Sequence, residues 1–441
     1  MSLKTPEKIQ RFQKKLYVKA KKEPAFRFYA LYDKVYREDI LAHAYALCRA
    51  KGGASGVDNV SFEDIGSQGK EKWLAALQEE LQARTYRPDP VRRVEIDKPG
   101  GGKRPLGIPT IRDRTVQRAL KLVIEPIFEA DFEDAAHGYR PKRSAQDAVR
   151  KVERALRGGY TDVVDADVSA YFDSIPHHDL RQALARRISD GLVLKLIWSW
   201  LKAPVEVKND RGRSRMMGGK KSKKGVPQGG VISPLLANVY MNRFLRAWRE
   251  REKDQEFKAR IVNYADDFVI LSRGHAKDAL AWTRWAMENL GLELNASKTR
   301  IVNARQDDFS FLGYTFGLEH NWRRRCSYFA ARPSQKAVQR LKANVRGILR
   351  PYNVGAWPEV VARVNRSLRG WKQYFSHGTV YPAYRAIDNY VVHCVQDFLR
   401  RRHKVKGRRR RVTRRWPDKV IFGELGVIHL LQRNLTAPSC A

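Results

Sequence analysis

Hydrophobic positions near the start of the chain recur with the spacing of amphipathic helices. In "EDILAHAYALCRA" and "EKWLAALQEELQAR", apolar residues return about every three or four positions, which places them on one helix face. The stretch between them, "KGGASGVDNVS", is rich in glycine and predicts a loop. We therefore predict a helical N-terminal extension over residues 1–85.

Between residues 86 and 330 the pattern changes to short segments that are typical of strands. "VRRVEI" alternates apolar and polar positions, and the following "KPGGGK" predicts the basic tip of a hairpin. Three further segments predict a buried strand, a strand–turn–strand unit and another short strand: "VVDADV", "IVNYADDFVIL" and "FSFLGYTF".

A glycine-rich loop followed by a helix is predicted for "GVPQGGVISPLLANVYM". Ser233 has the side chain of an N-cap residue, and Pro234 is suited to the first helical position. We therefore expect this helix to begin at Pro234, with the Ser233 hydroxyl as its cap.

Three basic amphipathic helices are predicted over residues 331–399. In the second one, "PEVVARVNRSLRGWKQYF", the basic residues Arg366, Arg369 and Lys372 are three apart, next to an apolar stripe. A plain helical bundle would explain the apolar stripes, but it would not explain polar faces that are nearly all positive. We therefore predict that Arg366, Arg369 and Lys372 bind RNA.

The last part of the chain, residues 400–441, begins with the cationic run "RRRHKVKGRRRRVTRR". Such runs are typically solvated until they meet a polyanion. We predict a nucleic-acid-binding tail whose contacts include Arg408, Arg409, Arg410 and Arg411.

The overall charge indicates a phosphate polymer as partner. The chain has 86 Lys and Arg residues against 47 Asp and Glu residues, a formal net charge of +39. Basic side chains placed on phosphates release condensed counterions, which favours binding. A membrane surface is the alternative, but the basic residues run through the whole chain among many aromatic residues. The sequence shows neither the ~20-residue apolar run of a membrane span nor a secretory signal, so we expect a cytoplasmic, nucleoid-associated protein with no membrane partner.

Two acidic pairs stand out in so basic a chain. Asp266 and Asp267 lie between apolar runs, where aspartate is also common simply as a turn residue. A second predicted strand also ends in acid, at Asp165 and Asp167. Adjacent strand ends would gather carboxylates that repel one another unless a cation neutralises them. Carboxylate oxygens suit Mg²⁺, and two such ions ~4 Å apart stabilise the attacking and leaving oxygens of phosphoryl transfer.

Several motifs together resemble one known family. "DVSAYFD" at 167–173, "GVPQGGVISPLLANVYM" at 225–241, "YADD" at 264–267 and "FLGYTF" at 311–316 occur in the order found in reverse transcriptases of the group II intron-encoded kind. The segment "VNRSLRGWKQYF" at 364–375 is similar to the maturase-specific segment that follows the thumb in those proteins. The resemblance extends from about residue 20 to the end.

The resemblance implies an α+β fold, the right-hand polymerase. Fingers and a palm with an antiparallel sheet would occupy residues 86–330, and a helical thumb and maturase (X) domain would occupy residues 331–399. Asp167, Asp266 and Asp267 would be the catalytic triad that holds two Mg²⁺ ions, for which Mn²⁺ can substitute.

The resemblance also implies roles for residues around the triad. Lys98 and Arg104 would grip the nucleotide triphosphate, and Phe172 would exclude a 2′-hydroxyl, although a core position is the alternative. Gln228 and Gly229 would touch the incoming nucleotide and the nascent base pair. Lys298 would protonate the departing pyrophosphate, unless it is an ordinary surface lysine. The primer end would be seated by Phe311, Leu312 and Gly313.

The implied function is RNA-directed DNA synthesis from deoxynucleotides on an RNA template with a DNA primer. The protein would also bind its encoding group II intron RNA to assist splicing and retromobility into target DNA. The alternatives are a splicing-only RNA-binding maturase, a host-adopted reverse transcriptase in phage defence, and an RNA-copying polymerase, which Phe172 disfavours. Many relatives end in an endonuclease domain rich in Cys and His pairs, and we expect none here because the sequence shows no such cluster.

Overall fold

The N-terminal part is helical, as its pattern predicts. The computed structural model describes residues 3–97, 102–208, 213–219, 221–321, 325–405 and 409–431. The first helices are α1 (Glu7–Lys22), α2 (Tyr32–Val35), α3 (Glu38–Lys51), α4 (Phe62–Gln68) and α5 (Lys70–Gln82). Ser61 and Asp64 form a capping box that begins α4. Residues of α1 and α3 share the main hydrophobic core with the later helix α6 (Ile111–Glu129).

The central part adds seven more helices to α6 in the described residues. They are α7 (Ala145–Arg157), α8 (Tyr171–Ser174), α9 (His177–Ala185), α10 (Gly191–Leu201), α11 (Ser233–Glu250), α12 (Lys253–Glu256) and α13 (Ala276–Asn289). The predicted start of α11 is wrong by one residue. Its N-cap position is Ile232, and the Ser233 hydroxyl donates instead to the carbonyl of Pro227 at 2.7 Å. That bond ties the glycine-rich loop to the helix, while Ser233 itself occupies the first helical position and not the N-cap position.

One four-stranded sheet contains the predicted basic hairpin. Its strands are β1 (Val91–Asp97), β2 (Lys103–Ile108), β4 (Pro204–Lys208) and β5 (Ser214–Gly218), in the order β2-β1-β4-β5. β1 and β2 are antiparallel, with Ile96 opposite Arg104, and β1 is parallel to β4. The predicted hairpin is confirmed, but its tip and Lys98 lie outside the described residues.

A second four-stranded sheet holds the acidic strand ends. Its strands are β3 (Asp162–Asp167), β6 (Ala259–Tyr264), β7 (Asp267–Ser272) and β8 (Arg300–Asn303), in the order β6-β7-β3-β8. Alternate residues face opposite sides. Val163 and Val269 pack in a core with α7, whereas Val164 and Ile270 belong to the main core with α11 and α13. Because both faces are covered, apolar residues follow one another without alternation within these strands, as in Val163–Val164 and Phe268–Leu271.

The segment "FSFLGYTF" forms two strands, and our prediction of a single strand is wrong. β9 (Phe309–Phe311) and β10 (Tyr314–Asn321) pair antiparallel, and β11 (Cys326–Pro333) pairs with the other side of β10. Leu312 and Gly313 make the turn with φ values of 52° and 76°. A left-handed leucine is uncommon, so the turn has no sequence signal beyond one glycine.

The C-terminal part is a helical bundle, and three of its helices were predicted. It contains α14 (Gln335–Ile348), α15 (Trp357–Tyr374), α16 (Tyr381–Arg402), α17 (Arg409–Arg415) and a π-helical turn (Val420–Glu424). The expectation that the run at the start of the tail is solvated is wrong for part of it, because Val412 and Trp416 are buried in the bundle core.

Buried polar side chains fix this C-terminal segment to the bundle. Asn365 of α15 donates to the Gly426 carbonyl at 2.8 Å and accepts from the amide of Ile428 at 2.9 Å. Asp388 of α16 accepts from the amides of Leu430 and Leu431 at 3.0 and 3.1 Å. In the described part of the chain, no helix has the length and apolar character needed to cross a membrane.

Candidate active site

Strand register brings the three predicted carboxylates to one end of the second sheet. β3 and β7 are antiparallel, and Asp167 lies directly opposite Asp267. Asp266 occupies the turn between β6 and β7, where Ala265 has a φ of 62°. The pairing of two antiparallel strands therefore places residues that are a hundred positions apart side by side.

The carboxylates act on one another electrostatically. Burial, followed by repulsion from Asp266, Asp167 and Asp165, raises the pKa of Asp267 from 3.8 to about 7. Burial is also the largest cause that raises the pKa of Asp266, and Asp167 adds to it. The site thus concentrates negative charge of the kind that a divalent cation neutralises, and its oxygen donors suit such an ion.

Lys298 is bonded directly to one carboxylate of this group. Its Nζ donates to Oδ2 of Asp167 at 2.8 Å, and this bond is the largest cause that raises the lysine pKa. Asp165 lies on the same strand and pairs with Arg300 of β8 at 3.4 Å. Among the described residues, no three acidic, His or Cys side chains are arranged as a ready metal-binding group.

Residues that the sequence did not single out support the acidic turn. Gly138 packs so tightly against it that a Cβ would overlap the amide of Ala265. The Asn238 side chain donates to the Gly138 carbonyl at 2.8 Å, and the Asn263 side chain donates to the Ala265 carbonyl at 2.9 Å. Asn238 was detectable as a polar residue within the apolar start of a helix, but the role of Gly138 needs tertiary structure.

A cavity of about 570 Å³ lies between the first sheet, α6 and the glycine-rich loop. Arg104, Phe172, Gln228 and Gly229, all predicted to contact the nucleotide, line it. Tyr139 also lines it, and burial followed by Asp266 raises the Tyr139 pKa. Tyr139 thus connects the cavity with the acidic turn. Phe172 is only 6% exposed, so its ring is both a core side chain and part of the cavity wall.

Polar contacts across the cavity fix the loop against the hairpin. Nε of Arg104 donates to Oε1 of Gln228 at 2.9 Å, and Nε2 of Gln228 donates to Oδ2 of Asp173 at 3.1 Å. The Gln228 carbonyl accepts from the amide of Gly107 at 2.6 Å. At Gly229, a Cβ would overlap the Gly107 carbonyl, so the close approach requires glycine.

Further cations in the cavity wall were missed by the sequence analysis. Arg114, Arg118 and Lys121 lie on one face of α6, and Lys51 ends α3. Burial is the largest cause that lowers the pKa values of Lys51 and Arg114. The signal was the four- and three-residue spacing of basic residues in "RDRTVQRALK". The cavity is therefore strongly cationic before any anion enters it.

The predicted primer-binding turn lies where the three-stranded sheet of β9, β10 and β11 contacts the helical bundle. The Leu312 carbonyl accepts from the Tyr374 hydroxyl at 3.0 Å, and the Gly313 carbonyl accepts from the Ser334 amide at 2.9 Å. Phe311, before the turn, is buried in the core that includes Phe375. Leu312 and Gly313 open onto a groove of about 580 Å³ between α14 and α15.

The residues predicted to bind RNA do not form one stripe. Arg366 lines the groove at Leu312, together with Arg340 of α14. Lys372 lies on another side of α15, with its Nζ 5.9 Å from the ring centre of Tyr384 in α16. Arg369 is exposed. Arg408 lies outside the described residues, and Arg409, Arg410 and Arg411 belong to α17.

Comparison with known proteins agrees with this arrangement. The family model described as reverse transcriptase (RNA-dependent DNA polymerase) matches residues 96–316, and the group II intron maturase-specific domain matches residues 338–416. Protein YkfC of Escherichia coli strain K12 is 36% identical, over 69% of this chain and 87% of its own. The group II intron-encoded protein LtrA of Lactococcus lactis subsp. cremoris is 30% identical, over 65% of this chain.

The chain spans 56% of the length of LtrA. Among solved structures, a partial Cas6-RT-Cas1–Cas2 complex matches with 23% identity and a TM-score of 0.35, over 58% of this chain and 42% of that one. From the two family matches and the relatives YkfC and LtrA, the chain belongs to the group II intron-encoded reverse transcriptases, which are RNA-directed DNA polymerases with a maturase-specific domain.

Proposed function

We propose that Asp167, Asp266 and Asp267 hold two Mg²⁺ ions for RNA-templated DNA synthesis. The observation that supports this most directly is the pairing of Asp267 with Asp167 across β3 and β7, together with the Asp267 pKa of about 7. Bound divalent ions, Mg²⁺ or Mn²⁺, would supply charge stabilisation for the attacking hydroxyl and the leaving pyrophosphate. The three carboxylates position that charge at the end of the sheet.

The cavity beside the triad is the proposed nucleotide site. Arg104 would bind triphosphate oxygens through its planar fork, and Lys98 would add a second cation. Gln228 is held by Arg104 and Asp173, so its backbone and that of Gly229 are fixed where a base pair would form. The ring of Phe172 in the wall would exclude a sugar with a 2′-hydroxyl.

Lys298 has two proposed functions. In the resting site it neutralises Asp167, and that contact raises the pKa of its ammonium further above the ordinary value for lysine. During synthesis the same proton would be available to the departing pyrophosphate once the contact with Asp167 is released.

The C-terminal bundle is the proposed site for the encoding intron RNA. Its match to the maturase-specific domain and its exposed basic residues support binding of that RNA for splicing. We also propose a role in retromobility into target DNA, since the relative LtrA is itself a group II intron-encoded protein. Such a protein would work in the cytoplasm, at the nucleoid.

Primer extension with purified protein tests the polymerase site. The wild-type chain is expected to extend a DNA primer on an RNA template with Mg²⁺ and deoxynucleotides. Asp167→Ala and Asp266→Ala should each abolish extension while RNA binding stays nearly intact, because each removes a carboxylate and no cation. The matched control is Asp307→Ala, an exposed acid remote in sequence from the triad. Robust extension by either triad variant would refute the assignment.

A splicing-only maturase and a defence enzyme predict other results. A splicing-only protein would bind the intron RNA but would not extend a primer. A defence enzyme would be encoded outside any folded intron, so the presence of catalytic-RNA elements around the reading frame separates it from an intron-encoded protein.

A further inference from the structure

The loop between α14 and α15 presents two exposed apolar side chains. Tyr352 is 91% exposed and Val354 is 92% exposed, the highest values among the large hydrophobic side chains of the described residues. Single apolar side chains are common on protein surfaces, but these two stand out because their neighbours cover almost none of either side chain. The two residues alternate along the loop "RPYNVGA" and have Asn353 between them.

Hydrogen bonds hold this loop in place. Asn353 lies between the two exposed residues, and its side chain donates to the Ile348 carbonyl at 2.8 Å and accepts from the Gly355 amide at 3.1 Å. From α16, Nη1 of Arg402 donates to the Gly355 carbonyl at 2.8 Å. The Asn353 side chain is thus hydrogen-bonded within the loop. Tyr352 and Val354 project from a backbone that these hydrogen bonds hold in place. Such pre-organisation lowers the entropy lost on binding.

The charge around the loop favours an anionic partner. Arg346 and Arg350 are exposed at the end of α14, and Arg402 lies against the loop from the other side. The acid Glu359, in the first turn of α15, lies beside Gly355. Two projecting side chains among arginines give too small an apolar area for a protein interface. An aromatic ring flanked by cations is instead the arrangement that binds an unpaired base and its phosphates.

We propose that Tyr352 stacks on an unpaired base of the bound RNA, with Val354 against the same nucleotide and Arg350 and Arg402 on the flanking phosphates. This inference rests on the proposed binding of the intron RNA by the C-terminal bundle. It adds a contact that reads RNA structure, because stacking requires a base that is not paired, whereas the arginines bind any phosphate backbone.

The test measures binding of full-length protein to the intron RNA transcribed from the locus that contains the reading frame. Tyr352→Ala is expected to weaken binding about 5- to 100-fold, the range for loss of one stacked base. Tyr352→Trp should retain the affinity. The slope of log K against log salt should not change in either variant, since no charge is removed, whereas Arg350→Gln should shrink it by ~0.7–0.9. Tyr29→Ala removes another exposed tyrosine, which is 72% exposed, and serves as the control.

Three outcomes would overturn the proposal. Equal affinity of wild type and Tyr352→Ala would show that the ring does not contact the RNA, while the proposed function would stand. Wild-type self-association that is absent in Tyr352→Ala, measured by sedimentation, would identify a second copy of the chain as the occupant. Failure of the wild type to prefer the intron RNA over an unrelated RNA of the same length would overturn both this proposal and the proposed binding of the intron RNA by the C-terminal bundle, but not the proposed polymerase site.

Discussion

Phe172 has two environments, since it belongs to the main hydrophobic core and also lines the cavity proposed to bind the nucleotide. It lies 5.8 Å from the ring centre of Tyr171, whose hydroxyl is fixed to the Ala237 carbonyl. The ring therefore cannot move aside without disturbing α11. A rigid wall of this kind can reject a small extra group on a substrate by steric contact alone.

Replacing Phe172 tests that function. Phe172→Val should raise the ratio of ribonucleotide to deoxynucleotide incorporation by about 10- to 200-fold, the range for a steric contact. Phe172→Tyr keeps the ring and is the matched control. Single-nucleotide incorporation kinetics give the ratio, and a thermal melt of each variant reports any loss of core packing. An unchanged ratio in the valine variant would mean that the ring serves only the core.

His137 is a buried residue whose protonation lowers the stability of the folded protein at acidic pH. It is 1% exposed, and neither ring nitrogen has a hydrogen-bond partner among the described residues. Burial, with Lys151 and Arg143 nearby, lowers its pKa from 6.5 to about 4. Because the folded pKa lies below the unfolded value, the unfolded chain binds the proton first. The stability due to neutral His137 is complete above pH 6.5 and falls as the pH drops towards 4.

This sign gives a measurable slope. Between pH 6.5 and 4, His137 should contribute up to ~1.4 kcal/mol of lost stability per pH unit, and His137→Gln should remove that contribution. Denaturant midpoints at several pH values measure it, and the exposed His178→Gln is the control. If wild type and His137→Gln lose stability in parallel over this window, His137 is not the buried group that senses acid.

At the scale of elements, the sequence pattern predicted those elements whose structure depends on neighbouring residues in the chain. The strand pair around Asp266 was predictable because apolar runs flank the acids, and both strands lie between covered faces. The turn at Leu312 was not predictable, since a left-handed leucine is imposed by contacts with Tyr374 and Ser334. Likewise, Ser233 has a cap residue's chemistry, but the helix begins one residue earlier than its pattern predicts, and the Ser233 hydroxyl donates to the Pro227 carbonyl.

In the candidate site, too, some features could be predicted from the sequence and others only from the fold. Two acidic strand ends could be expected to meet, but their one-to-one register could not be derived from their spacing. The contacts of Gln228 with Arg104 and Asp173 join three distant segments, so only the fold reveals them. The buried end of the tail was missed because the arginine run that precedes it dominated the interpretation, although apolar residues such as Trp416, Ile421 and Leu430 follow that run.

Helix α15 offers a test of two separate surfaces. Arg366 faces the groove that begins at the primer-binding turn, whereas Lys372 faces α16. Arg366→Glu should therefore raise the KM for primer–template and shrink its salt slope by ~0.7–0.9, because one phosphate would no longer be neutralised. Lys372→Glu makes the same charge change and should leave both values near those of the wild type. Equal effects in the two variants would indicate that Arg366 and Lys372 belong to one basic surface that binds the nucleic acid.

At the scale of the whole molecule, one acidic cluster stands out against an excess of positive charge. The chain has 86 basic residues against 47 acidic ones, yet three carboxylates gather at one sheet end. The triad lies between residues 167 and 267, and the maturase-specific match begins at residue 338. The bundle has its own hydrophobic core, separate from the two cores around the acidic sheet. The proposed chemistry and the proposed intron binding would thus have largely separate structural supports.

Separate supports predict separable activities. Asp266→Ala combined with Asp267→Ala should abolish primer extension but still promote splicing of the encoding intron, because it removes negative charge and leaves the bundle unchanged. Splicing depends on tighter binding to the active RNA fold than to misfolded forms, which needs a shaped cationic surface and no metal site in the protein. Reversing charge at Arg366, Arg369 and Lys372 together should instead damage splicing most, while short-template extension at low salt persists because the cavity keeps its own cations. Both assays on both variants decide the matter: if the metal-site variant loses splicing as completely as the charge-reversed one, the two functions share one support and the bundle is not an independent RNA-binding module.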